Sequence, residues 1–426
     1  MRYRILALFF IFSILVGQPP FEEHAISTAV YDSGPYSVHA ADVDGDGDMD
    51  VLSAFYYDDK IAWYENDGSE SFTEHAISTS ADGANSVYAI DIDGDGDMDV
   101  LSASWDDDKI AWYENDGSES FTEHAISTST DGAYSVHAAD VDGDGDMDVL
   151  SASVIDDKIA WYENDGSESF TEHAISTSAD GARSVHAADV DGDGDMDVLS
   201  ANDAGNKIAW YENDGNESFT EHVISTSAVS GFSVYAADVD ADGDMDVLSA
   251  SQDNDKIAWY ENDGSESFTE HAISTSANGA QFVHAADVDG DGDMDVLSAS
   301  YIDDKIAWYE NDGSQGFTEY VISTSADAAN SVYAIDIDGD GDMDVLSASS
   351  WDNKIAWYEN YIPGPTDVSG VISSNTTWSA LSSPYIVTGN VLVNEGVTLT
   401  IQAGVEVKFD VGNSIQINGE LIAQGT

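Results

Sequence analysis

Cysteine is absent from this chain of 426 residues. Disulfide bonds, thiolate metal sites and cysteine nucleophiles are therefore excluded. Basic residues are also scarce, since 11 lysines and arginines face 84 aspartates and glutamates and leave a formal net charge of −73. A surface of that charge repels nucleic acid and anionic membranes, so we expect no nucleic-acid partner.

Long apolar runs are missing too, apart from one at the amino terminus. Arg2 and Arg4 precede the apolar run from Ile5 to Val16, which is too short to cross a bilayer and is typical of a secretory signal. We therefore predict a signal peptide over residues 1–20, no transmembrane segment, and a secreted or cell-surface location.

One acidic segment recurs seven times at intervals of 49 residues. Its pattern is Asp-x-Asp-Gly-Asp-Gly-Asp-Met-Asp, with Ala241 in place of the first glycine in the fifth copy. A repeat of this length indicates one supersecondary unit used seven times, and it suits a propeller blade better than a leucine-rich repeat.

Each repeat contains four short segments with the alternation of β-strands and no helical period. In the second copy they are Ser86 to Ile90, Asp99 to Ser104, Lys109 to Glu114 and Phe121 to Thr128. A hairpin turn signal, Asn115-Asp116-Gly117, separates the last two. The sequence therefore predicts an all-β fold, a seven-bladed β-propeller of four-stranded antiparallel blades.

The order of the copies predicts how the ring closes. A fourth-strand sequence, Phe21 to Thr28, precedes the first repeat, while the last third strand ends at Asn360 with no fourth strand after it. We expect the N-terminal strand to complete the last blade, which removes an exposed edge and defines a propeller over residues 21–360.

Beyond the propeller the composition changes. Pro363-Gly364-Pro365 indicates a linker over residues 361–368. Residues 369–426 alternate short β-rich pieces with glycine and asparagine turns, and this segment resembles the start of a right-handed parallel β-helix. We predict a short β-helix-like appendage that is incomplete.

The acidic segment has the form of an oxygen cage for a hard cation. Carboxylates occupy loop positions 1, 3, 5 and 9, position 7 offers a backbone carbonyl, and the glycine at position 6 permits a sharp turn. The first half matches a calcium loop of the EF-hand type, but position 12 of the first copy is Ser53 and strands flank the loop. Charged oxygens without nitrogen or sulfur favour Ca²⁺ over Zn²⁺, and Mg²⁺ needs fewer carboxylates.

These residues resemble the FG-GAP/VCBS repeat of integrin α-subunit propellers and of many secreted bacterial proteins, over residues 21–360. The Phe-Gly and Gly-Ala-Pro signatures are absent, so the closer likeness is to the bacterial VCBS type. The resemblance implies about one Ca²⁺ per blade, held in the loop between the first and second strands. The implied metal ligands are Asp42, Asp44, Asp46, Asp48 and Asp50; Asp91, Asp93, Asp95, Asp97 and Asp99; Asp140, Asp142, Asp144, Asp146 and Asp148; Asp189, Asp191, Asp193, Asp195 and Asp197; Asp238, Asp240, Asp242, Asp244 and Asp246; Asp287, Asp289, Asp291, Asp293 and Asp295; and Asp336, Asp338, Asp340, Asp342 and Asp344.

Near-identical repeats supply symmetric residue sets, and no asymmetric catalytic group stands apart from them, so we expect no enzymatic activity. The tryptophan of each third strand fits core packing better than a carbohydrate platform. Aromatic and amide residues vary from blade to blade just before the first strand and between the second and third strands, a pattern typical of a recognition surface but also of unconstrained loops. We therefore predict a monomeric propeller that binds an extracellular protein or glycan, with two alternatives, a lectin and an ancillary domain of a polysaccharide-degrading enzyme.

Overall fold

The computed structural model describes residues 21–28, 33–360, 366–378, 384–402 and 405–423. The chain divides into two compact units, one of residues 23–359 and one that contains residues 360–426. The predicted signal peptide lies outside the described residues. Within the described ranges, no helix is long and apolar enough to cross a membrane.

The larger unit is an all-β propeller of seven four-stranded antiparallel sheets, as predicted. The first strands, which line the central channel, are β2 (Pro35–Ala41), β6 (Ala84–Ile90), β10 (Ala133–Ala139), β14 (Ala182–Ala188), β18 (Gly231–Ala237), β22 (Ala280–Ala286) and β26 (Ala329–Ile335). The second strands are β3 (Asp50–Phe55), β7 (Asp99–Ser104), β11 (Asp148–Ser153), β15 (Asp197–Asn202), β19 (Asp246–Ser251), β23 (Asp295–Ser300) and β27 (Asp344–Ser349). The third strands are β4 (Lys60–Asn66), β8 (Lys109–Asn115), β12 (Lys158–Asn164), β16 (Lys207–Asn213), β20 (Lys256–Asn262), β24 (Lys305–Asn311) and β28 (Lys354–Asn360). The outer strands are β5 (Phe72–Ser78), β9 (Phe121–Ser127), β13 (Phe170–Ser176), β17 (Phe219–Ser225), β21 (Phe268–Ser274), β25 (Phe317–Ser323) and, for the seventh blade, β1 (Phe21–Thr28).

Ring closure by the N-terminal strand is confirmed. Strand β1 pairs with β28 in a sheet of order β1-β28-β27-β26. The core continues across the same seam, because Trp357 of the last blade packs with Val38 and Val51 of the first. The propeller is therefore closed by backbone pairing and by apolar packing together.

The hydrophobic core lies between adjacent blades. The second strands are buried at every position. Each third-strand tryptophan is no more than 1% exposed, and Trp63, for example, packs against Ala84 and Val87 of the next blade. The prediction that these tryptophans are core residues is confirmed, and full burial of such large rings stabilises the ring of blades.

The ten histidines occupy two structural settings. Six lie on outer strands, where each ring stacks on a tryptophan at 4.5–4.7 Å and bonds to a glutamate. The other four belong to a closed circle of seven rings around the channel, with neighbouring centroids 4.6–4.9 Å apart. In chain order this circle, here called the channel ring, is His39, Tyr88, His137, His186, Tyr235, His284 and Tyr333.

The smaller unit consists of short parallel strands. They are β29 (Thr366–Ile372), β30 (Thr376–Trp378), β31 (Tyr385–Val393), β32 (Thr398–Ile401), β33 (Val407–Phe409), β34 (Ile415–Ile417) and β35 (Glu420–Ala423). One sheet has the order β29-β31-β33, with β34 also on β31, and the other has the order β30-β32-β35. All of these pairs are parallel, as a β-helix-like segment requires. Strand β29 begins within the predicted linker, whose residues 361–365 lie outside the described residues.

Candidate metal centre and channel mouth

The acidic loops connect the first strand of each blade to the second. In the first blade, Gly45 and Gly47 have φ angles of 75° and 101°, in the region where glycine is favoured. Ala241, which replaces the first of these glycines in the fifth blade, adopts a φ of 60°. The loop backbone thus keeps its shape at Ala241, at a cost of about 1–2 kcal/mol for a left-handed non-glycine residue.

Three of the five aspartates in a loop bring their carboxylates together. Oxygen atoms at positions 1, 3 and 9 lie within 4.8 Å of one another in the first four blades. These clusters are Asp42, Asp44 and Asp50; Asp91, Asp93 and Asp99; Asp140, Asp142 and Asp148; and Asp189, Asp191 and Asp197.

The aspartates at positions 5 and 7 have other contacts. Asp46 Oδ1 accepts a hydrogen bond from the Asp48 backbone N–H at 2.9 Å and so holds the turn. The Asp48 carboxylate faces Gly68 in the turn after the third strand, where an added Cβ would lie 2.3 Å from Asp48 Oδ2. This close approach requires glycine at that turn and shows that the Asp48 carboxylate faces it. The role of the Asp48 backbone carbonyl as a metal ligand stays a prediction.

The aspartate at position 9 also joins the strands of its own blade. Asp50 is fully buried, and its two oxygens accept backbone hydrogen bonds from Val43 at 2.9 Å and from Asn66 at 2.8 Å. Burial raises the pKa of Asp50 to about 7, against the opposing effect of these hydrogen bonds. Sequence reasoning identified this residue only as a ligand, and its backbone contacts could not be read from the loop itself.

The loops fit a hard cation. Oδ1 of Asp42, of Asp287 and of Asp336 is buried and has no hydrogen-bond partner among the described residues. Burial and the charges of Asp46 and Asp42, opposed by a backbone hydrogen bond, raise the pKa of Asp44. Unpartnered buried oxygens and mutually repelling carboxylates are both relieved by a cation, and an all-oxygen donor set suits Ca²⁺.

An asparagine connects each loop to the neighbouring blade. Asn115, at the end of the third strand of the second blade, donates its side-chain N–H to the Val43 carbonyl of the preceding loop at 2.9 Å and to the Met98 carbonyl of its own loop at 3.1 Å. The same link recurs around the ring. The geometry of one loop therefore depends on its neighbour.

The opposite end of the channel opens into a cavity of about 360 Å³, here called the mouth. The antiparallel strand order places it on the face away from the acidic loops, because the loops between second and third strands lie there. Its lining combines the two sets of positions that vary between blades: Tyr36, Asn85, Tyr134, Arg183, Phe232, Gln281 and Asn330 from before the first strands, and Tyr56, Trp105, Gln252 and Tyr301 from the loops. Among the residues that the structure describes, this lining contains no carboxylate and no imidazole.

Both the repeat sequence and the fold of this chain are similar to those of known proteins. A family model described as "FG-GAP-like repeat" matches residues 42–102, 91–151, 151–200, 189–249, 238–298 and 287–347. Comparison with curated proteins found no match. The fold is similar to that of virginiamycin B lyase from Staphylococcus aureus, with 16% identity and a TM-score of 0.57 over 79% of this chain and 99% of the lyase. It is also similar to BBS1N in complex with ARL6DN, with 12% identity and a TM-score of 0.57 over 81% of this chain and 98% of that chain.

Proposed function

The chain belongs to the FG-GAP-like repeat family, and from that premise we propose that it is a calcium-stabilised interaction module that works outside the cell. One observation carries the proposal: the residues that differ between otherwise near-identical blades converge on the mouth. Rigid scaffolds commonly present their recognition residues in this way. The mouth also has the size of a small ligand pocket.

Calcium is the proposed partner of the acidic loops. The clustered oxygens at positions 1, 3 and 9, together with the position 7 carbonyl, would hold the ion, and the ion would supply the positive charge that these carboxylates lack. Because Asp50 and the neighbouring asparagines tie each loop to its blades, ion binding would stabilise the whole ring.

A binding role suits the mouth better than a catalytic one. Among the described residues, no carboxylate or imidazole lines the cavity, and Asp203 beside it is already paired with Arg183. The lyase activity in the name of one similar structure belongs to that protein, and 16% identity supports the fold alone. The extracellular location is supported by the apolar run near the amino terminus and by the FG-GAP likeness.

A lectin is the second candidate function. Sugar rings stack on aromatic faces, and amides both donate and accept hydrogen bonds, as sugar hydroxyls require. The mouth offers both in Trp105, Tyr134, Gln252 and Gln281.

The proposal can be tested on arrays of extracellular proteins and glycans. The purified full chain would be compared, in calcium, with the mouth variant Trp105→Ala/Tyr134→Ala and with the control Thr122→Ala on the exposed side of β9. We expect a ligand that binds the unmodified chain and the control in calcium but does not bind the mouth variant. Its binding to the unmodified chain should disappear when a chelator removes the calcium. Ligands that bind the mouth variant as strongly as the unmodified chain would contradict the proposal, and the array on which the ligand appears separates lectin from protein binder.

A further inference from the structure

Arg183 is the only arginine after residue 4. Its Nε donates to Asp203 Oδ2 at 2.8 Å, and Nη2 lies 2.7 Å from the same oxygen. The guanidinium carbon lies 4.1 Å from the ring centroid of Phe232 and 4.9 Å from that of Tyr134. Aromatic faces and a carboxylate therefore form a guanidinium site at the mouth, filled from within the chain.

Two other places on this face, here called notches, also combine aromatic side chains with a carboxylate. In the first notch, the rings of Tyr36 and Tyr56 lie 5.1 Å apart, and Tyr56 forms a hydrogen bond with Asp106. Burial, followed by the charge of that carboxylate, raises the pKa of Tyr56. In the second notch, the rings of Tyr301 and Trp351 meet edge to face at 5.5 Å, and the Trp351 backbone N–H donates to the Asp327 carbonyl at 3.1 Å. Neither Asp106 nor Asp327 forms an ion pair within the described part of the chain.

Several aspartates surround each notch and repel one another. Desolvation and the charges of Asp59, Asp106 and Asp107 raise the pKa of exposed Asp82, beside the first notch. Desolvation and the charges of Asp304 and Asp352 raise the pKa of Asp327 in the second notch. A cation bound in either notch would relieve this repulsion.

Large apolar side chains surround the mouth on the same face. Tyr57, Ile155 and Ile302 are each more than half exposed, and Trp351 is 62% exposed. They lie in the loops between second and third strands of four blades. Exposed apolar residues around aromatic and arginine anchors are typical of protein interfaces rather than of sugar sites.

We propose that this face binds a basic protein whose arginine side chains enter the two notches as Arg183 enters its own. The inference rests on the proposed function and names the partner of the same face. Arginine fits better than lysine, because a planar guanidinium can stack on an aromatic ring and pair with a carboxylate at once. The charge of the chain would attract such a partner from a distance.

The test uses the full chain in saturating calcium at physiological salt, where general attraction is screened. Fluorescence anisotropy would measure the affinity for hexa-arginine and for hexalysine peptides, which carry equal charge. Tyr56→Ala and Trp351→Ala remove the aromatic faces without changing charge, and the matched control Asp116→Asn removes one charge from an exposed turn on the opposite face. Melting curves would verify folding, and Asp106→Asn with Asp327→Asn would probe the same notches independently.

We expect the arginine peptide to bind more tightly than the lysine peptide, each aromatic variant to weaken it about fivefold, and the control to stay within about twofold. Equal affinity for the two peptides, or aromatic variants that bind like the unmodified chain, would overturn the inference. The inference would also be overturned, in favour of a sugar ligand, if a neutral glycan displaced the peptides and the chain showed no preference for the arginine peptide. In either case the array result for the mouth would stand, so failure of this inference and failure of the proposed function can be told apart.

Discussion

We expect the channel ring to make the propeller sensitive to acid. Burial lowers the pKa of His137 and of His284 from 6.5 to about 4, and that of His39 to about 3. Three blades carry tyrosine at the same position, so the double variant His137→Tyr/His284→Tyr uses a side chain that the ring already contains.

The size of the effect follows from proton linkage. The stability that a neutral buried imidazole contributes is fully present above pH 6.5 and is lost as the pH falls towards 4, because only the unfolded chain binds the proton. At pH 5, each imidazole with a folded pKa of about 4 contributes about 2 kcal/mol less to the free energy of unfolding than it does at pH 7. Between pH 7 and pH 5, the free energy of unfolding of the double variant should therefore fall by about 4 kcal/mol less than that of the unmodified chain.

Urea denaturation at pH 7 and pH 5, in saturating calcium, measures the difference. The loop aspartates are the same in both proteins, so their titration cancels in the comparison. His75→Tyr on an outer strand is the matched control, since Tyr320 occupies that position in the sixth blade. Equal losses of stability in the double variant and the unmodified chain, or the same change in the control, would refute the reasoning.

Two further predictions concern the acidic loops. Asp140→Asn should lower the number of bound calcium ions by one in titration calorimetry, whereas Asp165→Asn, in an exposed turn of the same blade, should leave it unchanged. Asn115→Ala should lower the free energy of unfolding by about 1–3 kcal/mol, because the Val43 and Met98 carbonyls lose their donor, and urea denaturation would detect this. A calcium count unaltered by the first change, or a stability unaltered by the second, would contradict the roles assigned to these residues.

Much of the propeller could be predicted because the regular repeat shows where each blade begins and ends. Seven copies of one pattern define the blade, and the displaced copy from Phe21 to Thr28 indicates which strand closes the ring. The predicted strand from Ser86 to Ile90 differs from the observed one only in starting two residues late, at a bulge near Ala84. In the smaller unit, strand β29 has no clear strand pattern in the sequence, because Gly370 and polar neighbours interrupt its apolar residues.

The site was harder to predict wherever it depends on distant parts of the chain. The contacts of Asp50 with Asn66 join residues 16 apart, and the pair of Arg183 with Asp203 spans 20 residues. The loop pattern therefore identified candidate ligands but not which carboxylates converge. Only the fold shows that positions 1, 3 and 9 meet while position 7 turns towards Gly68.

The two faces of the propeller differ because they carry different constraints. On the acidic face, each loop supplies a carbonyl to the asparagine of the next blade, so a change in one copy disturbs two blades. At the mouth, the side chains project into a shared cavity, and Arg183, at a position that holds an amide or an aromatic residue in the other blades, needs only a local partner in Asp203. The residues must therefore be the same in every blade where neighbouring blades contact each other. They can differ where the blades face the mouth. A repeat protein can consequently acquire an asymmetric recognition site without loss of the symmetric contacts that close its ring.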